Sequence, residues 1–388
     1  MKEFVFFNPT RVVFGEGKTT LIGELTRPYG RRVLLVYGRE SAQRTGLLAR
    51  VKASLAAAGV ESTECGGVKS NPVVSFVRAA INLFRHQRLE AIVAVGGGSV
   101  VDTAKAVAAG VHYEGDVWDF FKGQAKVERA VPVLVVLSLA ATASEMNDGA
   151  VITNEATRQK FGLGGEALFP KVSILDPLNT LSVPKTYTMY GAVDAIVHAL
   201  EGYFSGQDPR TPFQDRLVES LVLTTMEAVK VLGRDLSHPE ARAELMWCAT
   251  LALNGLTTAG VGPAGYPMHM IEHSLSALYD IPHGAGLGVV APAWMRYQSA
   301  RIRPKLARFA ERVFRCAEGT EDERAWAGID AFEGWLRSLE VPTRLRDVRI
   351  SESDIPRIAG NALMLARKWD LTEYSAGVIS KILRFALD

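Results

Sequence analysis

Cysteine is scarce in this 388-residue sequence: Cys65, Cys248 and Cys316 are odd in number and far apart. None has the spacing of a thiolate metal site or a disulfide framework, so a reducing compartment, the cytoplasm, is expected. A long apolar run is also missing. The longest, around residues 130–143, contains Pro132 and is shorter than the ~20 residues a bilayer span needs. The first residues, Met1-Lys-Glu-Phe-Val-Phe-Phe-Asn8-Pro9, lack a basic segment followed by an apolar stretch, so neither a secretory signal nor a membrane partner is expected. Charge of one sign is absent too: 44 basic residues stand against 42 acidic, a net charge of +2. With no dense Lys/Arg run and no interleaved aromatics, nucleic acid is excluded as an expected partner. There is no internal repeat or low-complexity segment. What remains, 48% hydrophobic and 22% charged, is the composition of a globular chain long enough for two domains.

Apolar periodicity divides the chain. Residues 4–15 read as strand, turn, strand, with a leading strand that pairs either with a second subunit or as an intramolecular edge; a homodimer is the expected assembly. Residues 33–37 form an apolar strand, Gly38-Arg39-Glu40-Ser41 a loop, and 42–58 an amphipathic helix stopped by Gly59. A helix over 75–88, a strand over 91–95, a helix over 100–109 and strands over 131–137 and 172–175 repeat the unit. Continuous apolar strands alternating with helices imply a parallel sheet covered on both faces. After Asp176-Pro177, helical spacing takes over from about residue 186, broken near 206–209, 238–239, 260–267 and 341–342. The expectation is an α/β nucleotide-binding domain over 1–178 and an all-helical metal-binding and substrate domain over 179–388.

Four of the seven histidines fall in two short segments, Asp194-Ala-Ile-Val-His198 and His269 to His283, while His86, His112 and His238 are scattered. On a helix, positions i and i+4 lie on one face, so Asp194 and His198 can close on one ion, as can His269 and His273. His283 sits in Ile281-Pro282-His283-Gly284, a helix-breaking sequence able to return a loop residue to the same ion. Each piece alone has a plain structural reading, as an i,i+4 hydrogen-bonded pair or as core imidazoles. Their conjunction points to a divalent ion such as Zn2+ or Fe2+, and the lack of a nearby cysteine argues against a closed structural zinc site.

A second signal is Gly96-Gly97-Gly98-Ser99-Val100-Val101-Asp102, which follows an expected strand and opens an expected helix. Glycines let a phosphate approach the backbone, where the first N–H groups and the helix dipole favour an anion. Ser99 and Asp102 also fit a capping box, which explains both residues but not three glycines. The segment is not the Gly-x-Gly-x-x-Gly fingerprint, so the common dinucleotide fold does not follow from it. Lys160 is a candidate phosphate contact as a point charge. Gly38, Arg39, Glu40 and Ser41 fall where an adenosine ribose is expected by analogy with doubly wound folds; an acid there favours NAD and a base NADP, and the sequence has both.

These residues, with Phe7-Asn8-Pro9-Thr10, Gly67-Val68-Lys69-Ser70-Asn71-Pro72, Thr142-Ala143-Ser144-Glu145-Met146-Asn147 and Asp194 to Glu201, define a pattern. Along nearly its full length the chain resembles the iron-containing (group III) alcohol dehydrogenases, in particular the branch of butanol dehydrogenases and NADPH-dependent aldehyde reductases. The resemblance implies a two-domain fold like dehydroquinate synthase with the site in the cleft. It implies that Asp194, His198, His269 and His283 hold the metal and that His273 is a nearby non-ligand. Gly97, Gly98, Ser99 and Asp102 would bind the pyrophosphate and nicotinamide side, and Asn71, Ser138, Leu139, Asn147 and Lys160 the rest of the groove. Two departures stand out: Ser138-Leu139-Ala140-Ala141 where relatives often carry Thr-Thr or Thr-Leu, and Arg39-Glu40 in place of the branch's Gly-Gly. NADP is the favoured dinucleotide, with NAD the alternative.

The expected activity is reversible hydride transfer between NAD(P)(H) and a primary alcohol or aldehyde, with the metal, Fe2+ or else Zn2+, Ni2+ or Mn2+, as Lewis acid. His273 and Asp102 are the catalytic candidates, His273 as proton relay because an imidazole titrates near working pH, or else as an orienter of a ligand. Two rivals remain. His269-Met-Ile-Glu272-His273 fits the His-x-x-Glu-His zinc-peptidase pattern, and a metal-dependent lyase could share the fold.

Overall fold

In the computed structural model, which describes residues 1–39, 41–207 and 210–387, six strands form one parallel sheet. They are β1 (Arg11–Phe14), β2 (Arg32–Gly38), β3 (Glu61–Val68), β4 (Ala91–Gly96), β5 (Val133–Leu137) and β8 (Val172–Leu175), in the order β1-β8-β5-β4-β2-β3. An antiparallel hairpin of β6 (Gly149–Asn154) and β7 (Gln159–Gly164) stands apart from it. Alternating side chains separate the sheet's two faces. Val33, Leu35, Val93, Val95 and Val136 pack with Ile22, Leu48, Val51 and Leu55 on one side. Leu34, Val36, Ile92, Ala94 and Val135 face the other, where a single buried cluster continues without interruption into the helical half as far as Ala386.

Helices of the first half are α1 (Ile22–Thr26), α2 (Ser41–Arg44), α3 (Leu47–Ala57), α4 (Val74–His86), α5 (Gly98–Gly110) and α6 (Trp118–Lys122). Those of the second are α7 (Lys185–Ser205), α8 (Pro212–Leu232), α9 (Pro239–Ala252), α10 (Pro267–Tyr279), α11 (His283–Gln298), α12 (Arg303–Phe314), α13 (Glu321–Ser338), α14 (Ile355–Lys368) and α15 (Ala376–Arg384). Proline opens α8, α9 and α10 at their first turns, where its missing N–H costs nothing. Among the described residues no helix is long and apolar enough to cross a membrane.

The expected parallel sheet and helical second half are present. Three local expectations are corrected. Residues 1–10 form no strand, and β1 pairs in parallel with β8 rather than in a hairpin. The helix expected over 42–58 is split into α2 and α3 at Gly46, whose φ of 71° is left-handed. The strand β3 and the β6–β7 hairpin have no counterpart among the expected elements. β3 is an edge strand reading Glu-Ser-Thr-Glu-Cys-Gly-Gly-Val, largely solvent-facing, so it lacks the apolar run of its neighbours.

Candidate metal and cofactor site

Asp194, His198 and Glu201 occupy positions i, i+4 and i+7 of α7, so one buried face carries all three. Beside it, α10 contributes His269. His283 arrives differently: Asp280 caps α10 in the left-handed region at φ 52°, and Ile281-Pro282 then turns the chain so that His283 opens α11. His198 Nδ1 lies 3.3 Å from Asp194 Oδ1, and the Nε2 atoms of His269 and His283 each lie 3.5 Å from it. Asp194 Oδ1, His198 Nδ1 and His269 Nε2 are buried with no hydrogen-bond partner. Such atoms are costly unless something satisfies them. Ligands about 2.1 Å from a tetrahedral ion stand roughly 3.4 Å apart, which matches the three distances to Asp194 Oδ1; one donor atom each of Asp194, His198 and His269 lies within 4.8 Å of the others, while His283 groups as closely with Glu272 and His273.

Burial alone would raise the Asp194 carboxyl, but the imidazoles of His198, His283 and His269 gathered around it outweigh that and lower it. Burial pushes the His198 imidazole down to about 3. These are the protonation states a metal ligand requires. His269 differs: opposed by burial yet held up to about 9 by the Asp194 and Glu201 carboxylates beside it, it must give up a proton to bind a cation.

Two carboxylates orient the rings. Glu201 Oε1 accepts the backbone N–H of His269 at 2.9 Å and pairs with its Nδ1 at 2.9 Å. Glu272 pairs with His283 Nδ1 and accepts the Ser276 hydroxyl. Each leaves Nε2 facing Asp194. Neither glutamate stood among the candidate site residues, although the i+7 spacing from Asp194 to Glu201 was visible. Glu272 faces inward and is occupied, so it is unavailable as a peptidase base. His273, with its ring centroid 6.5 Å from that of His269 and turned 87° to it, groups with Glu272 and His283 rather than with Asp194. Its expected titration near neutral pH is not met: burial, then the charge of Lys160, holds it well below its usual value.

Three of the cofactor candidates, Gly38, Gly97 and Ser138, lie at the carboxyl edge of the sheet. Chain order reverses between β2 and β4, and the crevice beyond their carboxyl ends is where ligands bind in open α/β sheets. Gly38 ends β2, Gly97 follows β4, and Ser138 follows β5, its N–H donating to the Gly96 carbonyl at 2.9 Å. The glycines serve close approach: a Cβ on Gly98 would fall 2.2 Å from Thr142 Oγ1, and one on Gly97 3.0 Å from Leu139 Cβ. The capping box is not formed. Gly97 is the N-cap, the Ser99 hydroxyl donates to the Ser70 carbonyl, and Asp102 accepts from Ser144 Oγ at 2.6 Å and Val151 N at 3.0 Å. Asp102 thus clamps the hairpin and is not part of the cluster around Asp194.

Lys160 is buried, not solvated, with Nζ 3.1 Å from Asn71 Oδ1 and 4.0 Å from Glu272 Oε2. Asn71 Nδ2 donates to Asp280 Oδ1 at 2.8 Å. Asn147 Oδ1 accepts from Gly149 N and Lys105 Nζ, both at 3.0 Å. Arg39 is exposed at the end of β2, Ser41 opens α2, and Glu40 lies outside the described residues.

A parallel sheet with a glycine-opened helix at its switch point, facing a helical cluster of one aspartate and three histidines, matches one class of oxidoreductase. The profile for iron-containing alcohol dehydrogenases matches residues 9–177, and that for the C-terminal part of the Fe-containing alcohol dehydrogenase family matches residues 188–384. The chain belongs to this family. It is 37% identical to NADH-dependent butanol dehydrogenase A of Clostridium acetobutylicum over 94% of this chain and 93% of that one. It is 36% identical to the NADPH-dependent aldehyde reductase YqhD of Escherichia coli over 92% of each. Among solved structures, that of NADH-dependent butanol dehydrogenase A from Thermotoga maritima superposes with a TM-score of 0.96 at 44% identity, covering 100% of this chain and 99% of the other. No relative named here is a peptidase or a lyase.

Proposed function

We propose that the site performs metal-dependent, reversible hydride transfer between a nicotinamide dinucleotide and a small primary alcohol or aldehyde. The observation that carries this reading is the convergence of three imidazole nitrogens on one buried Asp194 oxygen, in a chain whose sheet places Gly97 and Gly98 at its topological switch point. Asp194, His198, His269 and His283 hold a divalent cation, Fe2+ being assigned and Zn2+, Ni2+ and Mn2+ suiting the same donors. When bound, the ion supplies Lewis acidity toward the substrate oxygen.

The protein's own groups do the positioning. The opening N–H groups of α5 receive the pyrophosphate, with Gly97 and Gly98 keeping the approach clear. Lys160 and Asn71 reach the dinucleotide from the hairpin side. His273, neutral and with a buried Nδ1 lacking a partner, holds the substrate hydroxyl by a hydrogen bond. NADP is favoured because Arg39 stands at the end of β2, where a 2'-phosphate would fall. The cytoplasm is the assigned location, which suits three free cysteines, and the assigned assembly is a homodimer.

The test is nucleotide absorbance on anaerobically prepared, metal-reconstituted protein given a short aldehyde and NADPH or NADH. Oxidation requiring both aldehyde and metal is expected, faster with NADPH. No consumption of either nucleotide under any of the four metals would sink the proposal.

A further inference from the structure

Three of the four metal-ligand candidates are tied together within the helical half: Asp194 and His198 share α7, and His269 is held by Glu201 from the same helix. His283 is different. Its side chain is 22% exposed, against 4–8% for the other three; its turn is held from the sheet half, and the Glu272 of α10 that pairs with its ring has a sheet-half lysine beside it. Glu272 Oε2, which pairs with His283 Nδ1, also has Lys160 Nζ 4.0 Å away. Lys160, on β7, donates to Asn71 Oδ1 at 3.1 Å. Asn71 in turn donates to Asp280 Oδ1 at 2.8 Å and to the Ile281 carbonyl at 3.3 Å, the two residues before Pro282. Ser276 Oγ closes the ring of contacts, reaching both Glu272 and the Ile281 carbonyl.

We propose that Asn71, Lys160 and Glu272 are positioning residues that link the dinucleotide groove to His283, so that dinucleotide and metal bind cooperatively. The inference rests on the reading above, in which Lys160 contacts the dinucleotide. Lys160 is a cation shared between Glu272 and the groove. A phosphate that draws Lys160 toward itself leaves Glu272 to hold the His283 Nδ1–H alone. A firmer bond at Nδ1 fixes the tautomer and makes Nε2 the stronger donor toward the cation. By linkage, the metal tightens the dinucleotide by the same factor. Among the described residues no hydrogen bond links Glu201 or His269 to the groove candidates, so they are the internal control.

The experiment is chelator competition for Zn2+ on metal-stripped protein, with and without saturating NADP+, so the readout is metal affinity and not turnover. In the wild type, NADP+ is expected to lower the Zn2+ dissociation constant about tenfold, within the usual range of coupling between sites. Glu272→Gln should weaken Zn2+ about 10–100-fold and remove the NADP+ effect. Lys160→Met should remove the NADP+ effect as well. Glu201→Gln should weaken Zn2+ comparably and keep the tenfold effect. An unchanged wild-type constant on adding NADP+ overturns the proposal even if no variant folds, as does coupling that survives in both Lys160→Met and Glu272→Gln. If the wild type reduces aldehyde but shows no coupling, only the link falls. If it binds no dinucleotide, the link and the proposed function fall together.

Discussion

At the scale of single residues, the proposed metal site gathers one imidazole nitrogen each from His198, His269 and His283 within 3.5 Å of Asp194 Oδ1. His269→Ala removes one Nε2 donor, and with it the imidazole that pairs with Glu201 and stands 3.5 Å from Asp194. Metal content measured after gel filtration should fall to background, and a variant that keeps stoichiometric metal would refute the ligand assignment. Arg39 offers a simpler case. It is exposed, so a charge-assisted bond from it to a 2'-phosphate is screened; Arg39→Ala should raise KM for NADPH about tenfold and leave NADH unchanged. Equal KM shifts for both nucleotides would remove Arg39 from the specificity argument. The meeting of Asp194 and His198 was legible because helical spacing puts them on one face whatever the rest of the chain does, whereas the choice of His283 over His273 came only from the family resemblance. Asp102 was not legible, since its partners Ser144 and Val151 lie 42 and 49 residues away. Local pattern suggested a cap there, and tertiary pairing won.

At the scale of elements, α5 is the part on which the groove depends. Its first turn carries the glycine loop, and its middle grips the β6–β7 hairpin through Asp102 and Lys105. The Lys105 ammonium, wholly buried, donates to the Asn147 carbonyl at 2.7 Å, Asn147 Oδ1 at 3.0 Å and the Gly149 carbonyl at 2.8 Å. Lys105→Met strands those oxygens and should cost on the order of 3 kcal/mol by urea unfolding at pH 7. The pH dependence has a definite sign. Burial pushes Lys105 down to about 8 from 10.5, so between those values the unfolded chain holds more proton than the folded one. Wild-type stability relative to Lys105→Met should therefore rise with pH across that window; a flat or falling difference contradicts it. Gly98→Ala tests the other end of the helix. The new Cβ meets Thr142 Oγ1 at 2.2 Å, and dinucleotide KM should rise severalfold, partly restored by adding Thr142→Ala. Sequence periodicity found α5 and its strand because both are apolar and internal. It passed over β3 and the hairpin, whose residues alternate weakly or face solvent.

At the scale of the whole molecule, one buried cluster runs from the sheet through the last helix, so the two halves expected from the sequence are joined by a shared core. The switch from strand to helical periodicity near residue 180 was legible. The shared core was not, because an apolar side chain does not declare which neighbour it will bury against. The sheet also leaves an edge. β1 is covered on one side by β8, and the residues before it are held in place while their side chains point outward. Lys2 N donates to the Gly260 carbonyl at 2.8 Å, and Asn8 Nδ2 to the Met146 carbonyl at 2.8 Å. Between these pins Phe4, Val5, Phe6 and Phe7 are 49%, 93%, 45% and 54% exposed. A fixed apolar segment beside an open strand edge is a surface prepared for pairing, and a second copy presents the same edge. Sedimentation velocity of the wild type should give a dimer. Val5→Asp combined with Phe6→Asp should give a folded monomer, since neither side chain belongs to the core. A monomeric wild type at micromolar concentration would remove the dimer assignment, and a dimeric double variant would move the interface away from β1.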